Sequence, residues 1–536
     1  MTQKKENERS GAFLVGLGIF LSRISGLIRV RVFAHYFGNS DAGDAFNAAL
    51  KIPNFLQNLF GEGVLSASFI PVYANLIADS HNEKKNQENH LEAARVASII
   101  GSLLFIIISL IVLMGIIATP FIIDVVAPGF KDEKRILTIK IVQIIFPGTG
   151  LLVMCAWCLG ILNSHRKFFL SYVAPVVWNA TMIVTLFIFG SGNTQYNLAE
   201  ILAYGLVAGS FLQLAVQMPS ALKLLKYFKP SLNTKIANVR IIIRNFFPVV
   251  ISRGVIQLSA YIDSMLASLL PMGAVSTLAY AQTLYLLPIS LFGMSISASE
   301  LPAMSSIKGT VEEINIYLRS RLEAGLKKIA FFIIPSVCAF IFLGNILVAA
   351  ILQSGKFKLD DVNYVWMVLI GSTIGLLAST MGRLYSSTFY SIKDTKTPLK
   401  FAFIRVFLTT SLGYLFAFPL PRLLGLDASF GTAGLTASAG LSGWVEFYLL
   451  RRALNKKIGD TGLKITYQIS LWVCAIIASA VGLAVKHFTH MQPVFSAIII
   501  FSFFGVSYFT ASYFLKIEES KRTIDKVLSK LKGLRK

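Results

Sequence analysis

Apolar runs of roughly 20 residues, each long enough to cross a bilayer, follow one another along the chain, with short polar stretches rich in Lys and Arg between them. The pattern predicts fourteen helices, at 11–37, 42–76, 93–127, 136–162, 168–191, 197–225, 240–270, 274–304, 320–352, 362–391, 398–420, 430–452, 465–486 and 493–515. No gap between them is wide enough for a soluble domain. The first run, beginning at Gly11, contains Arg23 and Arg29 and lacks a small-residue cleavage site, so it reads as a retained helix rather than a signal peptide.

The pattern also repeats at a spacing near 230. Ser22-Arg23 returns as Ser252-Arg253, Leu59-Phe60-Gly61 as Leu291-Phe292-Gly293, and the run from Ser66 to Pro71 as Ser297 to Pro302. The basic turn at His165-Arg166-Lys167 has its counterpart at Lys393-Asp394-Thr395-Lys396. Six helices per copy is an even number, so both copies enter the membrane in the same sense. The expected fold class is an all-α integral membrane protein, with two parallel six-helix lobes and two added helices. The expected boundaries are an N-terminal lobe at 1–230, a C-terminal lobe at 231–457, helices 13–14 at 458–516 and a basic tail at 517–536.

Composition agrees with lipid as the solvent: 55% of the 536 residues are hydrophobic and only 14% are charged, where soluble domains carry about a quarter charged residues. The net charge of +23 could suggest nucleic acid, but its distribution argues against that. Of the 50 Lys and Arg, 35 fall in the N-terminus, the tail and one alternate set of loops, and 7 in the other set. The positive-inside rule then puts both termini in the cytoplasm, with an even number of spans and some attraction to anionic headgroups. Cys155 and Cys158 form a C-x-x-C inside an apolar helix, where two small buried side chains are the simpler reading. His35, His81, His90, His165, His487 and His490 are scattered near membrane edges and loops. No ATP-binding loop or catalytic motif is legible, which predicts a transporter without a cofactor rather than an enzyme.

Ionisable groups in a membrane helix are costly unless they meet water or a partner, so each is a candidate. On helix 1, Ser22, Ser25, Gly26 and Arg29 share a stripe at three- and four-residue spacing, with Arg23 beside it and Arg31 placed to snorkel. Helix 2 carries Lys51, then Asn54, Gln57, Asn58, Gly61, Glu62 and Ser66 on one face, after a kink expected at Pro53. Helix 7 offers Arg253, Gln257 and Ser264 with Asp263 nearby, and helix 8 offers Gln282, Ser297 and Glu300. The plain structural alternative is internal pairing, Glu62 with Lys51 or Arg29 and Asp263 with Arg253. Yet Arg23, Arg29, Lys51 and Arg253 outnumber such partners, and guanidinium forks match phosphate oxygens. The expected ligand is an anion, a phosphate or diphosphate. The driving force would be the membrane potential or a monovalent cation, for which Asp263 is the weak candidate site.

The run Ser22-Arg23-Ile24-Ser25-Gly26-Leu27-Ile28-Arg29, with Phe37-Gly38, Asp44-Ala45-Phe46 and Lys51-Ile52-Pro53-Asn54-Phe55, closely resembles the start of the MurJ/MviN family. Gly61-Glu62-Gly63, Ala127-Pro128-Gly129-Phe130, Gly355-Lys356-Phe357 and Asp394-Thr395-Lys396-Thr397-Pro398 continue the resemblance over nearly the whole chain. The family lies within the multidrug, oligosaccharidyl-lipid and polysaccharide exporters. The resemblance implies fourteen helices in the bacterial inner membrane and flipping of lipid II, the undecaprenyl-diphosphate-linked peptidoglycan precursor, to the outer leaflet. It also implies a part in cell-wall synthesis and cell shape, with cell-wall or division proteins as partners. Arg23 and Arg29 match the family's helix-1 cavity arginines, and Asp44 matches its acid at the start of helix 2. The chain departs from the pattern at Val30, where many members have an acid, at Gln57, where some have arginine, and at Ala281-Gln282-Thr283, where many read Ala-Asp-Arg. A gate salt bridge is thus absent as a unit, and Arg253 would supply part of the missing positive charge. The alternative substrate is another polyprenyl-diphosphate-linked sugar, such as an O-antigen or teichoic-acid unit.

Overall fold

The computed structural model describes residues 2–78, 83–489 and 491–533; side chains at 2–16, 62–63, 78, 83–87, 247, 249, 251–260, 526–528 and 530–533 lie outside the described set. The chain forms helices and, among the described residues, no strand. It groups into two compact units, Met1–Ser276 and Thr277–Lys536. Among the described residues, eleven helices are long and apolar enough to cross a membrane. Three more, Thr2–Phe37, Ala237–Ser268 and Phe430–Ile458, run 36, 32 and 29 residues, beyond the roughly 20 residues a bilayer requires.

Unit 1 contains α1 (Thr2–Phe37), α2 (Asp41–Phe60), α3 (Glu62–Ser68), α4 (Ile70–Ala78), α5 (Glu83–Val126), α6 (Asp132–Ser164), α7 (Phe168–Phe189), α8 (Gln195–Leu225) and α9 (Ala237–Ser268). Helix α6 is its centre and packs on α8, α2 and α5. Trp157 on α6 is buried and donates its indole N–H to the Ala97 carbonyl on α5 at 3.1 Å. Other helices leave large apolar side chains uncovered: Ile117 and Phe121 on α5 are 72% and 73% exposed. An uncovered apolar face of that kind is at home only in lipid.

Unit 2 holds α10 (Ala274–Pro288, whose first residues fall in unit 1), a π-helical segment at Ile289–Met294, α11 (Ser295–Ser305), α12 (Val311–Leu352), α13 (Leu359–Ser391), α14 (Lys396–Ala417), α15 (Pro419–Leu423), α16 (Phe430–Ile458), α17 (Ile465–Phe488), α18 (Pro493–Phe514) and α19 (Glu518–Gly533). Helices α13 and α16 approach so closely that a Cβ at Gly375 would stand 2.4 Å from Gly440 Cα, the small-residue contact common between membrane helices. The last pair, α17 and α18, packs on α12, where the Tyr508 hydroxyl donates to the Phe331 carbonyl at 2.6 Å.

Most predicted helices appear within a few residues of their expected limits. Helix α12 starts well before residue 320 because Thr310 caps it, accepting from the Glu313 amide at 3.3 Å while Glu313 accepts from the Thr310 amide at 2.8 Å. The second predicted helix, 42–76, is broken in two places. Pro53 lies buried within an unbroken α2, and the chain breaks at Gly61, with φ −94° and ψ −132°, and again at Phe69. The repeat partner, 274–304, widens to π-helix across Leu291-Phe292-Gly293, directly after Pro288. Both copies of Leu-Phe-Gly therefore mark an irregularity. The unit division falls one helix later than the expected boundary at 230, because α9 packs on α2, α3 and α5. All four cysteines are free and buried.

Candidate substrate site

The serine stripe of α1 meets α7. The Asn179 side chain donates to Ser25 Oγ at 3.0 Å, and Ser25 donates to the Ser22 carbonyl at 3.0 Å. One turn further along α1, the half-buried Arg29 guanidinium lies over the Trp178 ring, 5.1 Å from its centroid. Its Nε has no hydrogen-bond partner, and Arg29 has no carboxylate partner among the described residues. Helix α7 thus gives Arg29 a π-face, worth about 0.5–2 kcal/mol, without neutralising its charge. Sequence spacing located the stripe on α1. It gave no sign of Trp178 and Asn179, which are some 150 residues away. Arg23 is exposed and makes no ion pair among the described residues.

On α2, Asn54 and Asn58 are exposed and Lys51 and Gln57 are half-buried. The Tyr261 hydroxyl of α9 donates to the Lys51 carbonyl, and the Tyr261 ring packs edge-on against Phe55 at 5.1 Å. Asp263, half-buried on α9, acts electrostatically on Lys51, so this carboxylate already has a fixed cation nearby. Among the described residues, no group of three or more His, Cys, Asp or Glu could hold a metal ion. The side chains of Glu62, Arg253 and Gln257 lie outside the described residues, as do His81 and His490.

Asp44 has a different role from the arginines. Its buried carboxylate accepts the Gly273 amide and the Lys134 ammonium on one oxygen and the Ser276 amide on the other, each at 2.8 Å. Lys134 also reaches Asp41 at 2.8 Å. The carboxylate therefore satisfies amides that begin α10, which have no partner within their own helix, while Ser40 caps α2 by accepting from the Gly43 amide at 3.2 Å.

In unit 2, Gln282 and Thr283 are half-buried, and the Thr283 hydroxyl donates back to the Ala279 carbonyl at 3.0 Å. Glu300 is buried and faces two cations of α12, Arg321 at 2.7 Å and Lys328 at 3.6 Å. The equivalent basic turns are also tied down. Lys457 meets Asp394 at 2.6 Å, and Asp394 also accepts from the Thr397 amide and hydroxyl at 3.0 and 2.8 Å. The Lys457 ammonium in particular holds the Asp394 carboxyl down at about 2. His165 shares a hydrogen bond with Tyr73 at 3.0 Å; burial, then the charges of His90 and Lys167, lowers its pKa below the ordinary histidine value.

Sequence reasoning passed over one cavity. A space of about 650 Å³ in unit 2 is bordered by Tyr285, Arg383, Tyr390, Arg405 and Glu446, with the π segment supplying Ile289 and Met294. Arg405 Nη1 and Glu446 Oε2 are 3.0 Å apart. Both arginines lie within apolar helices, which is itself the signal that marks an intramembrane charge for function.

A helical membrane chain in two units, with a helix break at Gly61 and a π segment at Ile289–Met294 at equivalent points of an internal repeat, defines the class: a multi-pass transporter of the multidrug and polysaccharide exporter architecture. A solved "inward-facing conformation of a multidrug resistance MATE family transporter of the MOP superfamily" matches 80% of this chain and 95% of its own at a TM-score of 0.59 and 15% identity. A structure described as "Lipid II flippase MurJ, inward closed conformation" matches 94% of this chain and 99% of its own, with a TM-score of 0.76 and 24% identity. The family model "Lipid II flippase MurJ" matches residues 33–503, and the chain belongs to that family. Similar relatives include a "Probable lipid II flippase MurJ" of Aquifex aeolicus, 30% identical with 86% of each chain covered. Another, from Rickettsia prowazekii, is 27% identical with 95% of this chain and 98% of its own covered.

Proposed function

We propose that this protein flips lipid II from the inner to the outer leaflet of the bacterial inner membrane by alternating access, across fourteen spans with both termini in the cytoplasm. The observation that carries this reading is Arg29: a guanidinium within a membrane helix, braced by an aromatic ring and without a carboxylate partner among the described residues. Such a group gains most from a bound phosphate oxygen, through a charge-assisted and potentially bidentate hydrogen bond. Arg23 is exposed on the same helix and would meet the diphosphate at an earlier stage of entry. Lys51 adds positive charge on α2, tempered by Asp263, and the amide side chains of Asn54, Gln57 and Asn58 suit a sugar headgroup. The prenyl tail stays in lipid beside α17 and α18. The protein needs no cofactor on this reading, and the membrane potential, at about 2.3 kcal/mol per elementary charge per 100 mV, drives the cycle.

Complementation of cells depleted of their lipid II flippase tests the proposal. The wild-type chain restores growth, and Arg29→Ala abolishes rescue while abundance in the membrane stays near normal. Full rescue by a well-expressed Arg23, Arg29 double alanine variant would refute the anion-binding mechanism. Failure of the wild-type chain to rescue, together with rescue of cells lacking an exporter of another polyprenyl-diphosphate sugar, would reassign the substrate.

A further inference from the structure

The cavity of unit 2 has the charge of a binding site, and the reading above assigns it no part of the substrate. Arg405 is paired with Glu446 at 3.0 Å. Arg383 borders the same space, is exposed, and makes no hydrogen bond or ion pair among the described residues. Two guanidiniums and one carboxylate leave one positive charge unmatched. Arg383 and Arg405 each sit roughly two turns from the connection between α13 and α14, so the two charges enter the cavity from adjoining helices. The lining also includes the apolar side chains of Leu286, Ile289, Met294 and Leu301.

We propose that this cavity binds a carboxylate of the peptide carried by the substrate headgroup, with Arg383 as the residue that grips it and the Arg405–Glu446 pair holding the rim in register. The proposal rests on the lipid II reading, since the peptide of a peptidoglycan precursor carries free carboxylates. At about 650 Å³, the space falls within the range that encloses a drug-sized ligand, which suits a short peptide with its side chains better than a lone phosphate. A planar guanidinium accepts a carboxylate in the two-point geometry of an ion pair, and the apolar part of the lining accommodates alkyl side chains such as that of alanine. The site would read the headgroup and distinguish a complete precursor from a bare prenyl diphosphate.

The test is equilibrium binding of the purified full-length protein to two ligands, lipid II and undecaprenyl diphosphate. Arg383→Gln is expected to weaken lipid II binding about tenfold, the value of one charge-assisted hydrogen bond, and to leave undecaprenyl diphosphate binding unchanged. Arg383→Lys should retain part of the lost affinity. Wild-type protein offered lipid II with amidated peptide carboxylates should show the same weakening, a measurement that needs no variant to fold. Unchanged affinity in the amidated-lipid arm, or equal loss for both lipids in Arg383→Gln, overturns the assignment; the second result makes the cavity a phosphate site. If the wild-type chain binds neither lipid, the lipid II reading itself fails and this inference falls with it.

Discussion

Charged residues such as Asp44 engage buried partners, while others such as Arg23 make no ion pair among the described residues, and single substitutions separate the two groups. The Asp44 carboxylate is buried and engages two amides and an ammonium. Its replacement by Ala strands these donors, at a cost of about 3 kcal/mol for breaking a buried pair. The thermal unfolding midpoint of Asp44→Ala in detergent should therefore fall clearly, whereas Arg23→Ala, at an exposed position without an ion pair among the described residues, should leave it nearly unchanged. Asp394 makes a pH prediction. Its carboxyl is held at about 2, chiefly by Lys457, below its ordinary value. A depressed carboxylate contributes stability above the unfolded-state pKa and loses it only as pH falls toward the folded value. The stability difference between wild type and Asp394→Asn should thus stay flat from pH 7 to about pH 5 and shrink in more acidic solution, as followed by thermal melts across that range. The sequence made Arg23, Arg29 and Asp44 visible because each is an ionisable residue in an apolar context. What each one touches was not visible: the partners of Asp44 lie at 134 and 273–276, and the ring beneath Arg29 at 178, separations no local pattern encodes.

Helix placement was legible for a physical reason: a bilayer imposes one length on every span, and the basic loops punctuate them. Irregularities within a span were harder to place. Proline at 53 suggested a kink that the helix absorbs, while the break falls at Gly61, where a Cβ would stand 2.2 Å from the Gln57 carbonyl oxygen. The repeat was the better guide, since Leu-Phe-Gly marks both the break and the π segment. At Gly293 the reason is close packing on α13: a Cβ there would stand 2.4 Å from Thr380 Cγ2, with the next Thr380 atoms at 3.5 and 3.8 Å. Gly293→Ala should accordingly destabilise the protein by about 1–3 kcal/mol, the usual cost of overpacking. Thr380→Ser removes the one obstructing methyl and keeps the hydroxyl that bonds the Leu376 carbonyl at 2.5 Å. The double variant should recover most of the loss in thermal midpoint. If Thr380→Ser fails to rescue Gly293→Ala, the glycine serves the π geometry itself rather than contact with α13.

At the scale of the whole molecule, the distribution of positive charge decides which way the chain lies in the membrane. Lys and Arg concentrate at 223–244, at 451–464 and beyond 516, while the connections at 353–358 and 424–429 together hold only Lys356 and Lys358. Translocating a cluster of basic residues is opposed during insertion, so the rule predicts the rich loops and both termini in the cytoplasm. That arrangement demands an even number of spans. The eleven helices that meet the length and hydropathy criteria among the described residues do not satisfy it alone; adding Thr2–Phe37, Ala237–Ser268 and Phe430–Ile458, each long enough to span, does. Cysteines introduced singly at 232, 355, 425 and 533 into a chain whose four native cysteines are changed to serine or alanine give the direct measurement. Impermeant maleimide added to intact cells with a permeable outer membrane should label 355 and 425 and spare 232 and 533. Labelling at 533 without labelling at 232 would make the number of spans between them odd, and Ala237–Ser268 or Phe430–Ile458 would then have to lie outside the bilayer.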